Sequence, residues 1–440
     1  MFWEKGGSMF TPSIIICITI SLLTIIGYLS NKLPMGVVAM LSLIAFYLTK
    51  CINTTDAMSY FGNQNLWLCV CMFICSAGFT RTQFVKNLAK KVNQLAKGSA
   101  RKIFFGYMIL GVILCQFIGQ AVAEFSIVAP LLGASMDEIG VKRSKVMYPL
   151  VVALLATMAW LPMGAAYSFP MQVNSMFETF GITGFSMTVL NDMILRTPGI
   201  ILVLIYVVTV GFNLAPDTPP VAINASEIVS KNDSEEKLPA FQEKCGYVIF
   251  FGTCFALLIS GKIGVDPWLI SLAGAVLMVL CGVIKGKQIN DALPVSYFAV
   301  FAGALAMGGA LTNTGAADLI GNMIAAMANS VNSTVGVYFI IFIVTFLVTQ
   351  FMLNGAVMWS LMPVILATVK VMGVNPIGAA VIIHIAATAA YSTPMSCPAI
   401  PLAMAAGGYD FKSVFKQSII PSILMCVAGV LWISFMYPIF

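Results

Sequence analysis

Long apolar runs separated by short polar breaks dominate the chain. The runs fall at about 14–30, 34–49, 64–80, 103–118, 124–135, 146–163, 198–213, 246–261, 267–284, 295–311, 336–352, 356–369, 376–391 and 418–437. Continuous runs of this kind predict membrane helices, which need ~20 apolar residues to span the hydrocarbon core. They do not fit a transmembrane barrel, whose strands are ~10 residues long and alternate in polarity. Three stretches interrupt the pattern. Residues 81–102 are basic and amphipathic and predict a helix on the membrane surface. Residues 214–244 are polar, contain Pro216, Pro219 and Pro220, and predict a linker. Residues 313–334 predict a second amphipathic connector, without Lys or Arg.

Composition agrees. Of 440 residues, 60% are hydrophobic and 9% charged, with a mean hydropathy of +0.95, whereas soluble domains carry ~25% charged residues. A water-soluble protein is excluded. So is a nucleic-acid binder, because the net charge of +6 is spread over loops between apolar segments. The eleven Cys lie mostly inside apolar runs, and Cys69-x-Cys71-x3-Cys75 has no acidic residue nearby in a chain with one His. These thiols read as packing residues. The run Ile14–Leu29 reads as a retained span, since no small-x-small cleavage site follows it.

Lys and Arg set the expected orientation. With 81–102 in the cytoplasm and 103–135 a hairpin that returns to its own side, eighteen of the 23 Lys and Arg face the cytoplasm. The positive-inside bias then puts both termini outside the cell membrane. Each half shows the same order: three spans, a surface helix, a re-entrant hairpin, a broken span and a last span. An odd number of spans per half makes the second half inverted. The expected fold class is an all-α polytopic membrane protein of two inverted-topology repeats. The first covers 1–213, with hairpin 103–135 and broken span 146–181. A cytoplasmic linker, 214–244, follows, and the second repeat covers 245–440, with hairpin 336–369 and broken span 376–407. Thr80-Arg81-Thr82 and Thr312-Asn313-Thr314 echo each other at an offset of 232, and Pro130 and Pro363 at 233. Another register would align Ala166-Tyr-Ser-Phe-Pro-Met171 with Ala390-Tyr-Ser-Thr-Pro-Met395, but it makes the hairpin-to-break distances unequal.

Such repeats place their binding site where hairpin tips meet unwound helices. Free carbonyls there suit cations, and helix N-termini suit anions. The tips are Gly119-Gln120-Ala121-Val122-Ala123 and Leu353-Asn354-Gly355-Ala356. The breaks are 161–170 and 390–401, each interrupted by prolines. Ser168, Gln172, Asn174, Ser392, Thr393 and Ser396 gather there. Two ionisable groups lie in apolar elements, Glu124 and His384. An intramembrane carboxylate is costly enough to suggest function. Glu124 reads as a cation- or proton-coupling group or as a buried acid that fixes the hairpin; His384 reads as a coupling group or a packing residue.

On these residues the chain resembles the divalent-anion:sodium symporter family of di- and tricarboxylate carriers. The family's Ser-Asn-Thr-Ala…Leu-Pro hairpin signature is similar to Leu353-Asn354-Gly355-Ala356…Met362-Pro363 and, without its Asn, to Gln120-Ala121-Val122-Ala123-Glu124…Pro130. Its Gly-Thr-Pro-Pro-Asn-like breaks look similar to Gly164–Ser168 and Ser396-Cys397-Pro398, and Gly407–Phe411 also looks family-like. The resemblance implies an elevator-type homodimer in the lipid bilayer. It implies cation sites at Gln120, Glu124 and Gly164 and at Asn354 and Ser396. Substrate would lie at Gln120, Ala121, Val122, Asn354, Gly355, Ser396 and Cys397. The expected function is secondary transport of a small organic anion coupled to Na⁺ or H⁺. No cofactor is expected, and no metal beyond Na⁺. A passive channel, or a carrier of another small solute such as an amino acid, is the alternative. An enzyme is not expected, because no Ser–His pair, acid pair or ligand cluster is visible. A primary pump would need Gly-x4-Gly-Lys-Ser/Thr, which the chain lacks.

Overall fold

The computed structural model describes residues 11–440 apart from 31, 85–86, 88–90, 92–98, 118, 120, 222–237, 293–294, 352 and 394–395. Most of the expected surface helix 81–102 and of the linker 214–244 therefore lies outside the described residues. Every regular element among the described residues is helical. Four helices are long and apolar enough to cross a membrane: Ala100–Phe117, Val189–Leu214, Asn354–Met372 and Phe411–Met436. Shorter apolar helices, such as Pro12–Gly27, Gly36–Leu48, Pro267–Leu280, Thr334–Thr349 and Pro376–Thr388, accompany them. The molecule is an all-α polytopic membrane protein.

The order of elements recurs. Pro12–Ser30, Met35–Leu48, Thr54–Phe61 and Gln64–Thr80 are matched by Ala240–Leu258, Pro267–Leu280, Gly286–Ala292 and Val295–Thr314. The pair Ala100–Phe117 and Ala121–Glu138 is matched by Thr334–Thr349 and Asn354–Met372. The interrupted pair Met147–Thr157 and Ser168–Thr179 is matched by Pro376–Thr388 and Ala399–Gly407, and Val189–Tyr206 by Phe411–Met436. The gaps 158–167 and 389–398 are equally long. The segments 166–171 and 390–395 differ locally: residues 168–171 are helical, whereas residues 390–393 follow the end of the helix Pro376–Thr388.

Packing is reciprocal between the halves. Met35–Leu48 lies against Val295–Thr314, and Gln64–Thr80 against Pro267–Leu280. Small residues let these backbones approach, as is usual in membranes. A Cβ on Gly303 would stand 2.8 Å from Ala39 Cβ, and one on Gly274 would stand 3.2 Å from Cys75 Sγ. Each contact ends in a polar latch. Arg81 donates to Val283 O and to Gln288 Oε1 at 2.9 Å. Asn313 Nδ2 donates to Cys51 O at 3.4 Å and to Asp56 Oδ2 at 3.2 Å. Arg81 and Asn313, Cys51 and Val283, and Asp56 and Gln288 are all separated by the same 232 residues.

Three boundaries differ from the sequence expectation. The helix placed after 245 begins at Ala240, N-terminal to the charged Glu243 and Lys244. Glu243 Oε1 accepts hydrogen bonds from Tyr247 Oη and from Gln83 N, the latter at 2.7 Å. The connector expected at 313–334 is the helix Ala316–Val331, bent 88° from the preceding helix. Its small buried face, including Ala317, Gly321 and Ala325, packs on Asn354–Met372. The run read as starting at 198 begins at Val189, because Thr188 and Asn191 form a capping box. That extension brings Asp192 and Arg196 inside the helix, with Asp192 2% and Arg196 0% exposed.

Candidate functional site

The first hairpin touches its break backbone to backbone. Gly119 (φ +68°) lies so close to the break that a Cβ on it would stand 2.3 Å from Ala165 Cβ. Gly164 (φ +47°) is the partner, and its Cβ would stand 2.7 Å from Gln116 O. Both positions need glycine for conformation and for space. Gln116, fully buried three residues before Gly119, fastens the contact. Its Nε2 donates to Val112 O at 2.6 Å and to Thr157 O at 3.0 Å. Its Oε1 accepts from Trp160 N at 3.0 Å and Leu161 N at 2.7 Å. One amide thereby satisfies a helix C-terminus and the unwound backbone after it. Sequence reading passed over Gln116 because it is a lone polar residue in an apolar arm.

Gln120 lies outside the described residues. Ala121 is buried and Val122 half-buried in the first turn of Ala121–Glu138. Glu124, in the same turn, is fully buried, and its Oε2 accepts from Cys115 Sγ at 2.7 Å. Cys115 is thus more than a packing residue. The remaining thiols of the Cys69, Cys71, Cys75 group are buried, and no group of three His, Cys, Asp or Glu among the described residues could hold a metal ion.

The second tip is built differently. Asn354 N donates to Ser396 O at 3.0 Å, and Asn354 Oδ1 accepts from Thr349 Oγ1 at 2.9 Å. Thr393 Oγ1 donates to Gln350 O at 2.7 Å, and Ser396 Oγ donates to Ala390 O at 2.7 Å and Thr393 O at 2.8 Å. Among the described residues nothing stands within 4 Å of a Cβ placed on Gly355, and Cys397 is half-buried. The structure thus brings Asn354 and Ser396 together as the sequence suggested.

The second break meets the first hairpin. Ala399–Gly407, which follows the second break, packs on Ala121–Glu138 and on Met147–Thr157. Cys397 lies within electrostatic range of Glu124. Helix N-termini at Ala121, Ser168, Asn354 and Ala399 sit at the tips and breaks. They present the positive end of the helix dipole to an anion, although Asn354 N and Ser168 N already donate to Ser396 O and Ala165 O.

His384 sits elsewhere. Its Nδ1 lies 2.9 Å from Asp192 Oδ1, and its ring is 4.0 Å from that of Phe169, centroid to centroid. Asp192 Oδ2 accepts from Arg196 Nη1 at 3.1 Å. Arg196 Nη2 also donates to Met158 O at 3.0 Å and Ala156 O at 3.3 Å, and Nη1 to Ala159 O at 3.4 Å. Glu124 and His384 are therefore not the only ionisable groups deep in the fold. A cleft of about 800 Å³ beside Tyr47, Asn53 and Asn313 lies at the second latch, away from the tips.

Paired hairpins docked on broken helices, in an all-α polytopic membrane protein, are the layout of a transporter. The chain belongs to the citrate transporter family, whose sequence model matches residues 15–383 and, in a second match, 255–440. It is similar to the sodium-dependent dicarboxylate transporter SdcS of Staphylococcus saprophyticus, at 22% identity over 93% of this chain and 84% of that one. It is similar also to the chloroplastic dicarboxylate transporter 1 of Spinacia oleracea, at 23% identity over 68% of this chain and 54% of that one. In fold it matches the YdaH transporter of Alcanivorax borkumensis with a TM-score of 0.63, over 98% of this chain and 100% of that chain at 11% identity. The family and these relatives are transporters, not enzymes, in line with the resemblance drawn from the hairpins.

Proposed function

We propose that the protein is a secondary active carrier that moves a small organic anion, a di- or tricarboxylate or a close relative, across the cell membrane. The observation that carries this reading is the second tip: Asn354 N bonded to Ser396 O, with no described residue crowding Gly355 beside it. An amide, unwound carbonyls and a helix N-terminus meet there, and together they suit a cation and a carboxylate side by side. The dicarboxylate relatives support the substrate class. On this reading substrate lies between the two tips, against Gln120, Ala121, Val122, Asn354, Gly355, Ser396 and Cys397. Cations enter at Asn354 and Ser396 and near Gln120, Glu124 and Gly164, and no cofactor takes part.

Transport is coupled to Na⁺ or H⁺. Glu124 is the group that decides between them, because a buried carboxyl next to a thiol can either hold a cation or carry a proton. The repeats 1–213 and 245–440 are inverted, both termini face outward, and the linker 214–244 is cytoplasmic. The protein is a homodimer whose hairpins and broken spans move as a unit against the reciprocal packing of the other helices. Uptake of labelled succinate, malate and citrate into proteoliposomes, under a Na⁺ gradient and under an imposed ΔpH, tests the reading. Uptake of none of them under either gradient would reject it.

A further inference from the structure

Both breaks end a helix inside an apolar fold, so both must find partners for its last carbonyls. The two repeats do so with different chemistry. In the second, neutral hydroxyls donate: Ser422 Oγ to Ala389 O at 3.0 Å, Ser396 Oγ to Ala390 O at 2.7 Å and Tyr148 Oη to Tyr391 O at 2.8 Å. Ala389 O takes Tyr391 N as well, at 3.0 Å, and among the described residues none of the three carbonyls takes a charged donor. In the first, a guanidinium donates. Arg196 is fully buried and spans the carbonyls of Ala156, Met158 and Ala159. A cation is the favoured group at a helix C-terminus.

Arg196 is itself held in place. Asp192 Oδ2 takes Nη1 at 3.1 Å, and His384 fixes the other carboxylate oxygen from the second broken span. Phe169, just past the first break, covers the imidazole. The hydroxyl of Tyr391 in the second break has no hydrogen-bond partner among the described residues and lies within electrostatic range of Arg196. The positions 232 residues further on are Leu424 and Ala428, so only one repeat carries this charge pair.

We infer that Arg196 is a resident cation of the first broken span, a positioning residue that keeps the first break closed with or without an ion at the first tip, whereas the second break is set by its external ion. A permanent charge on these carbonyls orders Met158–Gly164 whether or not a coupling ion is bound. The second break, lined by hydroxyls and bonded to Asn354 N, has no such charge. Because the consequence for transport rests on the carrier reading, the test reads the breaks themselves and not uptake.

The experiment is thiol labelling by a membrane-permeant maleimide in proteoliposomes, in a Cys245→Ser/Cys281→Ser background. Native Cys397 reports on the second break. Met163→Cys, with Cys397→Ser, reports on the first. Labelling is compared in Na⁺ and in choline, each at two pH values. Cys397 is expected to respond to Na⁺ or to pH, while Met163→Cys labels at one rate throughout. In Arg196→Gln the Met163→Cys rate should rise about tenfold in choline, the factor for losing a charged hydrogen bond. Na⁺ should then lower it, and Arg196→Lys should keep it low. Should Arg196→Gln fail to fold, Asp192→Asn/Arg196→Gln, which removes both charges together, takes its place. An Arg196→Gln protein that labels like its parent overturns the inference. So does a Met163→Cys rate that follows Na⁺ or pH as closely as Cys397 does, or a Cys397 rate indifferent to both. Failure of the carrier reading shows separately, as absent uptake with the labelling pattern intact.

Discussion

Replacing Gln116 by Leu keeps a side chain of similar size and removes four hydrogen bonds from a fully buried amide. Val112 O retains its helical environment, and Trp160 N still donates to Thr157 O at 3.3 Å, so the full loss falls on Leu161 N, while Thr157 O and Trp160 N each lose one of two bonds. A buried group left unpaired costs ~1–3 kcal/mol. One such group, with two weakened bonds beside it, brings the total to about 2–4 kcal/mol, a large share of the ~5–15 kcal/mol that holds a typical fold. The assay is unfolding in mixed micelles titrated with a denaturing detergent, alongside uptake. Gln116→Leu should unfold at markedly lower denaturant and lose uptake. Gln116→Glu should fall between, because its carboxylate still accepts from Trp160 N and Leu161 N but faces Thr157 O without a proton to donate. Unchanged unfolding of Gln116→Leu would refute the claim that this amide joins the hairpin to the break.

Three further outcomes are expected. Asn354→Ala, which removes the acceptor of the Thr349 hydroxyl at the second tip, should abolish uptake or raise the half-saturating substrate concentration at least about tenfold, the equivalent of one charged hydrogen bond; normal uptake with unchanged ion dependence would show that this tip is not the site. Glu124→Gln should lose uptake driven by ΔpH if the carboxyl carries the proton, and should lose Na⁺ dependence if it holds the ion; unaltered uptake under both gradients would make Glu124 structural. Crosslinks that tether Cys substitutions in 103–135 to Gln64–Thr80 should stop transport and spare substrate binding, measured by thermal shift, and transport that continues would contradict the moving-unit assignment.

Local chemistry made much of this fold legible. Prolines and glycines at 161–170 and 390–401 marked the breaks, and the echo of Thr80-Arg81-Thr82 in Thr312-Asn313-Thr314 gave the repeat register that the two latches share. Asn354 and Ser396 were paired correctly because a tip and a break recur at matching distances. What escaped was long-range pairing. Arg196 looked like an ordinary charge near a span end, since its carbonyl partners lie 37 to 40 residues away and the His384–Asp192 bond spans 192 residues. The capping box at Thr188 and Asn191 is a local signal that would have extended the helix and shown both charges to be internal. Gln116 and Cys115 gave no signal of their own, because their partners are backbone groups and Glu124, brought together only by the hairpin.

Counterflow in proteoliposomes tests the central claim most directly. Vesicles loaded with an unlabelled dicarboxylate should take up the labelled compound faster than empty vesicles, and dissipating the Na⁺ and proton gradients should leave this exchange intact while abolishing net accumulation. Labelled uptake that is indifferent to internal substrate would contradict a carrier and mark a passive pore.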